Sequence, residues 1–325
     1  EYNIGFFFYI GGNDSMDTVK KLSEYFNSIG EDIKVVGIPK TIDNDLCLTD
    51  HTPGFGSAAK FIAASTMEIA ADSSVYDCTS VTIIEIMGRN AGWLTAASSL
   101  ARLNGTKAPH MIYLPERAFD SKKFLLDLNE LIKNERHVVV AVSEGLKLAN
   151  GNYVADSEQT GLKDAFGHKY LSGIGKYLEN LVMSNIGCKV RSVCLNVSQR
   201  CASHISSATD INEAFNVGSA AVDFALSGKT GVVAIIERLS NRPYSVSYEF
   251  CDVDEIANNV KFVPDNYITE NGYDITDEMT EYLKPLIIGE QTKHIRNGLP
   301  VFMRINFSNH ELHDKDVVIL NQTLA

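Results

Sequence analysis

Apolar positions along the chain follow two alternating rhythms. Ile4-Gly-Phe-Phe-Phe-Tyr-Ile10 is a continuous apolar run of strand length and predicts a fully buried strand. Gly11-Gly12-Asn13-Asp14-Ser15 breaks the run. Val19, Leu22, Phe26 and Ile29 then recur at helical spacing, and Gly30 supplies the stop. Lys34-Val-Val-Gly-Ile38 predicts the next strand, so the chain opens as strand, tight glycine loop, helix, strand. The same alternation predicts a helix over 57–71, a strand over 81–86, a helix from about Ala91 and a strand over 111–114. A helix over 121–134 and a strand over 138–142 follow. After a Gly-, Asn- and Asp-rich loop at about 150–168 come a helix over 171–183, a strand over 190–196, a helix over 212–226 and a strand over 231–236. Strands alternating with helices predict doubly wound α/β sheets, whose ligands sit at the carboxyl ends of the strands. The informative residues are therefore expected just after each strand.

The chain has 325 residues, a length that suits about two domains. Its 29 Lys and Arg against 41 Asp and Glu give a formal charge of −12, and no basic run is present. This argues against nucleic acid as a partner, since neutralising phosphates needs a basic face. No apolar stretch approaches the roughly 18–20 residues of a spanning helix, so no membrane partner is expected. An acidic protein still binds small phosphates through local amides, Lys, Arg and Mg²⁺. Cysteines at 47, 78, 188, 194, 201 and 251 form no C-x-x-C pair and read as reduced thiols of a cytoplasmic protein. His310 and His313 lack accompanying metal ligands. G-x-S-x-G, H-E-x-x-H and the P-loop pattern are all missing, so hydrolase-triad, zincin and P-loop chemistry have no support.

Five segments carry candidate chemistry. Gly11-Gly12-Asn13-Asp14-Ser15 suits a phosphate cradle at a helix N-terminus, although such a turn taken alone is usually only a helix start. In Pro39-Lys40-Thr41-Ile42-Asp43-Asn44-Asp45, an extended backbone would put the Asp43 and Asp45 carboxylates on one face, with Lys40 as a point charge. Such a pair can hold Mg²⁺ or accept a proton; the alternative is a polar turn with capping aspartates. Met87-Gly88-Arg89 passes from strand to helix, and Arg89 offers a forked donor set for phosphate or hydroxyls, or is a surface arginine. Glu144, in Ser143-Glu144-Gly145, could bind sugar hydroxyls or be a solvated loop carboxylate. Arg191 and Arg200, the latter beside Gln199, flank another strand as anion ligands or surface arginines.

Together these segments resemble the phosphofructokinase family. Gly11 to Ser15 resembles its GGD-type loop, Pro39 to Asp45 its catalytic segment, and Met87-Gly88-Arg89 its sugar-phosphate motif. Pro115-Glu116, Ser143-Glu144-Gly145 and Gln199-Arg200-Cys201-Ala202 follow in the family's order. The resemblance implies Mg²⁺-dependent transfer of a phosphoryl group to the C1 hydroxyl of fructose 6-phosphate. Asp43 is implied as the base, with Asp45 and Arg89 completing the catalytic set. Gly11, Gly12, Asp14, Ser15, Lys40 and Thr41 are implied as donor ligands, and Asn13, Asp43 and Asp45 as the metal side. Met87, Gly88, Arg89, Glu144, Arg191 and Arg200 are implied as sugar-phosphate ligands, one arginine reaching across a subunit boundary of a homodimer or homotetramer. Asp14 together with Lys40 resembles the branch that uses pyrophosphate; a carboxylate at Asp14 would crowd and repel the α-phosphate of ATP, the alternative donor.

Three positions depart from the family pattern. Asn13 stands where a metal-associated Asp is usual, Ser80 where many ATP-using members have an Arg, and Val197 where a His or Tyr is usual. Asn13 and Val197 leave a non-catalytic regulatory or sugar-phosphate-binding relative as a second alternative, which Asp43, Asp45 and Arg89 oppose. The resemblance also implies that a first strand and a Gly-Gly phosphate loop precede this sequence, so the donor domain is expected to be incomplete. Two α/β domains with the active site between them are expected. Residues 1–53 plus about 199–250 would form the donor side, and 54–198 plus about 251–325 the fructose 6-phosphate side.

Overall fold

The structure is a computed structural model that describes residues 3–155, 173–292 and 295–302. His310, His313 and much of the predicted 150–168 loop lie outside the described residues.

Two four-stranded sheets organise the chain. Strands β1 (Phe6–Gly11), β2 (Lys34–Pro39), β7 (Val232–Asn241) and β8 (Tyr244–Asp252) form the first, in that order. Its first three strands run parallel, and β8 returns antiparallel to β7. Strands β3 (Ser80–Ile86), β4 (Met111–Tyr113), β5 (His137–Ser143) and β6 (Lys189–Cys194) form the second sheet, all parallel, in the order β4-β5-β3-β6. The chain thus leaves the first sheet after β2, builds the second, and returns.

Period-two alternation decides which helix covers which face. In the first sheet, Val35 and Val233 pack with Met16 and Val19 of helix α1 (Asn13–Ser28). Val36, Val232 and Ala234 point the other way, onto Val217, Ala221 and Ala225 of the long helix at Ala208–Leu226. In the second sheet, Ile84, Ile86 and Ala141 meet helix α2 (Phe55–Ser73) and the short helix at Trp93–Ala97. Val81, Ile83, Val138 and Val140 meet the helices at Ser121–Leu131 and Ile174–Asn185. Strands buried on both faces read as unbroken apolar runs, which explains Lys34–Ile38 and 138–142.

The first apolar run corrects the sequence expectation. It forms β1 but is not fully buried: Phe6 and Ile10 are 45% and 61% exposed. Among the described residues β1 pairs with β2 alone. No described helix is long and apolar enough to cross a membrane. Residues 1–291 form one unit and 292–325 a second. The described part of the second is a hairpin in which Ile295–Arg296 pairs with Leu299–Pro300. Its turn is Asn297-Gly298, both at positive φ (53° and 78°), as a two-residue hairpin turn requires.

Candidate active site

The segments that follow β1, β2, β3, β5 and β6 line a common cleft of about 510 Å³. Gly12, Asn13, Asp14 and Ser15 come from the first, Thr41, Asp43 and Asp45 from the second, Met87 and Arg89 from the third, Glu144 and Arg200 from the last two. The two sheets thus deliver their carboxyl-end residues to one place, as doubly wound folds do.

The two glycines of the first loop have different tasks. A Cβ on Gly11 would lie 2.0 Å from Ser15 Oγ, so Gly11 makes room for the helix start rather than for a ligand. A Cβ on Gly12 would meet Thr41 at 3.6 Å and the Lys40 carbonyl oxygen at 3.8 Å, both ordinary contacts. Gly12 is the N-cap residue of α1 and its carbonyl accepts from the N–H groups of Ser15 and Met16. The opening amides of a helix have no intrahelical acceptor, and here that turn lines the cleft.

Asp43 and Asp45 both line the cleft, although not through an extended backbone. Asn44 between them is fully buried at φ 54°. Its side chain fixes the loop: Nδ2 donates to Tyr282 Oη at 3.0 Å, while Oδ1 accepts from Thr52 N–H at 3.1 Å and Lys261 Nζ at 3.2 Å. Asn tolerates the left-handed region better than most residues, and its amide can satisfy three partners at once. Thr41 Oγ1 accepts from the Asp43 N–H at 3.1 Å.

After β3 and β5 two turns interlock. Gly88 has φ 141°, Ser143 Oγ donates to its carbonyl, and the Gly88 N–H lies 3.4 Å from Glu144 Oε1. Gln199 Oε1 accepts from the Met87 N–H at 3.1 Å while its Nε2 donates to Asn196 O at 2.9 Å, so Gln199 ties this turn to the Arg200 turn. Glu116 is half-buried and does not line the cleft; its Oε1 accepts from Gly92 N–H and Val263 N–H, both at 2.9 Å.

Other expected residues are placed elsewhere. Lys40 is exposed at the end of β2, close enough to Asp43 to stabilise its charge, but outside the cleft lining. Arg191 is in register with Thr82, near the start of β6, and is hydrogen bonded to Asp72 on α2. The cleft lies at the opposite end of that strand. Ser80 is buried against His137 at 3.0 Å, and Val197 is exposed outside the lining. Asn13 reaches the cleft, yet both ends of its amide are engaged: Oδ1 accepts from Asn258 N–H at 2.7 Å, and Nδ2 donates to Asn259 O at 2.6 Å.

Asn90, Ala91, Asn258 and Val260 also line the cleft. The first two adjoin the Met87-Gly88-Arg89 motif and could have been found from it. Asn258 and Val260 carry no local signal; only the fold brings them to the loop after β1.

Four carboxylates and two guanidiniums line the cleft. Burial raises the Asp43 carboxyl above its ordinary value, opposed by Thr41, Arg89, Arg200 and Lys40. Burial, then the like charges of Asp43 and Asp14, push Asp45 up to about 6. Glu144 is pushed up to about 7 by burial, with Asp43 and Glu85 adding to it. Raised carboxyls favour the fold when protonated. The contribution of Asp45 is complete below about 3.8 and lost as pH rises through about 6. Asp45→Asn is therefore expected to stabilise the protein at pH 8 by up to about 3 kcal/mol. At pH 3.5 the gain should vanish. Thermal unfolding in a chelator at both pH values tests this; an equal gain at both would show that ionisation is not the cause.

Residues 1–225 match the family described as Phosphofructokinase. A pyrophosphate–fructose 6-phosphate 1-phosphotransferase of Halomonas elongata is 40% identical over 92% of this chain and 71% of its own length. One of Xanthomonas campestris pv. campestris is 41% identical over 94% of this chain and 73% of its own. The crystal structure of a pyrophosphate-dependent phosphofructokinase from Marinobacter aquaeolei superimposes with a TM-score of 0.81 at 37% identity, covering 96% of this chain and 76% of that one.

Proposed function

The chain belongs to the phosphofructokinase family, and from that premise we propose that it moves a phosphoryl group from pyrophosphate to the C1 hydroxyl of fructose 6-phosphate. The products are fructose 1,6-bisphosphate and phosphate. The observation that supports this most is the single cleft in which Gly12–Ser15, Asp43, Asp45, Met87, Arg89, Glu144 and Arg200 meet.

Asp43 accepts the proton of the attacking C1 hydroxyl. Its carboxylate sits among Arg89, Arg200 and Lys40, whose charges oppose the rise that burial imposes on it. Met87, Gly88, Arg89 and Glu144 hold the sugar, and Arg200 meets its phosphate. Gly12, Asp14, Ser15 and Thr41 border the donor, with Lys40 alongside. The donor side is the sheet of β1, β2, β7 and β8; the sugar side is the sheet of β3–β6.

Among the described residues no group of three or more His, Cys, Asp and Glu is placed to hold a metal. Mg²⁺ is commonly held by one or two carboxylates together with substrate phosphates, and Asp43 and Asp45 fit that pattern. A cleft with more carboxylates than guanidiniums also needs a cation before two polyanions can share it. Bound there, Mg²⁺ neutralises charge on the moving oxygens. Asn13 is not part of that set, because its amide is spent on the backbone at 258–259. Arg191 serves the sugar phosphate only in a homo-oligomer of a cytoplasmic glycolytic enzyme, where it faces a neighbouring copy.

The test is a donor assay with fructose 6-phosphate, Mg²⁺ and either pyrophosphate or ATP, following fructose 1,6-bisphosphate. Turnover with pyrophosphate alone is expected; turnover with ATP alone refutes the donor assignment. Asp14→Gly is expected to raise ATP-supported kcat/KM by about tenfold or more, the equivalent of about 1.4 kcal/mol. No gain in this variant would show that Asp14 does not exclude the nucleotide.

A further inference from the structure

The segment 258–263 bonds to the loop after β1, to the loop after β2, and to Trp93 and Glu116 beside the cleft. At the donor loop the Asn13 amide holds the Asn258 N–H and the Asn259 carbonyl. Asn258 itself stands at φ 64°, and its Nδ2 donates to Asp17 Oδ1 at 3.1 Å. At the catalytic loop Val260 bridges Leu46, and the Lys261 N–H donates to the Asp45 carbonyl at 2.8 Å. Lys261 Nζ then donates to Asn44 Oδ1, Thr49 O and Asp50 O at 3.2, 3.0 and 2.8 Å, which uses all three of its N–H groups. On the sugar side Trp93 Nε1 donates to the Lys261 carbonyl at 2.8 Å, and the Val263 N–H reaches Glu116.

We propose that Asn258–Lys261 is a positioning strap that sets the donor loop against the catalytic loop, with Asn13 as its latch. The geometry explains why this position carries an amide. One short side chain must donate to a carbonyl and accept from an N–H, and Asn does both. An ionised Asp can only accept, so in Asn13→Asp a carboxylate oxygen would face the Asn259 carbonyl. It would also add a fifth carboxylate to a cleft that already holds four. Asn258 and Val260 line the cleft, so releasing the latch moves a wall of the donor site. A 1 Å displacement of such a wall is enough to cost about 10²-fold in rate.

The kinetic part of this inference rests on the pyrophosphate reading; the strap itself does not. The test is hydrogen-exchange mass spectrometry on the intact, ligand-free chain, wild type against Asn13→Asp, joined to steady-state kinetics. Peptides covering 256–262 and 41–50 are expected to exchange at least tenfold faster in the variant. The KM for pyrophosphate should rise at least tenfold, the KM for fructose 6-phosphate should change less than threefold, and the Mg²⁺ concentration for half-maximal rate should not fall. Unchanged exchange overturns the strap. So does a variant that keeps full turnover and needs less Mg²⁺, the signature of a metal ligand. If Asn13→Asp does not fold, Lys261→Met probes the other end: faster exchange over 41–50, a fall in kcat larger than any rise in KM, and partial recovery in Lys261→Arg support the strap, and wild-type behaviour overturns it. A wild-type chain that is inactive with pyrophosphate yet loses protection in Asn13→Asp refutes the donor reading and leaves the strap standing.

Discussion

Asp43→Asn is expected to lower kcat by about 10²- to 10⁴-fold, the usual worth of a positioned general base. The substitution keeps the shape of the side chain and an oxygen for Thr41 Oγ1, which lies 3.4 Å from Asp43 Oδ2. What it removes is the proton acceptor and one negative charge among Arg89, Arg200 and Lys40. Removing that charge leaves the sugar phosphate with less competition for the cations, so the KM for fructose 6-phosphate should stay the same or fall. A loss confined to kcat identifies an interaction made in the transition state. A rise in KM with kcat intact would mean that Asp43 is a binding residue and that the base lies elsewhere. The acid limb of the wild-type pH profile is a second check. It should report the coupled carboxylates of the cleft, since Asp45 and Glu144 sit at about 6 and about 7.

Gly145→Ala should be nearly as damaging, although Gly145 meets no substrate in the proposed scheme. A Cβ there would lie 2.0 Å from the Arg89 carbonyl oxygen, 2.6 Å from its carbonyl carbon and 2.6 Å from the Gly88 carbonyl oxygen. All three are backbone atoms, so no side-chain rotation relieves the clash. The Gly88-Arg89 turn must move by an ångström or more, carrying the Arg89 guanidinium with it. The expected result is a loss of about 10²-fold in kcat/KM and about 1–3 kcal/mol of stability, as for other overpacked sites. Steady-state kinetics and thermal unfolding read the two separately. Full activity with a lowered melting temperature would show that the cleft does not depend on where this turn sits.

Local pattern accounts for a good deal of this molecule. Alternating strands and helices are visible in the apolar periodicity, and the cleft-lining motifs sit just after strands because that is where doubly wound sheets present them. The differences have a common origin in contacts between distant residues. An apolar run such as Ile4–Ile10 shows that a strand forms, and says nothing about how many neighbours flank it. Asn44 looks like one more polar loop residue until Tyr282 and Lys261 are seen to close around it. Arg191 stands beside a strand as expected, but only the register with Thr82 reveals that it lies at the far end from the cleft. Asn13 looks like a weakened metal ligand when its own segment is read alone. Its partners, 245 and 246 residues away, turn it into a latch.

The return of the chain to its first sheet has a consequence for how the protein is made. Val35 donates to Thr230 Oγ1 across 195 residues, and β2 meets β7 only at Val36–Val232 and Gly37–Val233. At a synthesis rate of roughly 5–20 residues per second, β2 waits about 10–40 s before that partner leaves the ribosome. During that time Val35, Val36 and Ile38 have neither the β7 side of their sheet nor the helix at 208–226 to cover them. The all-parallel second sheet, contained within residues 80–194, is complete first. A ribosome stalled between the two sheets would thus release a chain whose second sheet is complete and whose first is not.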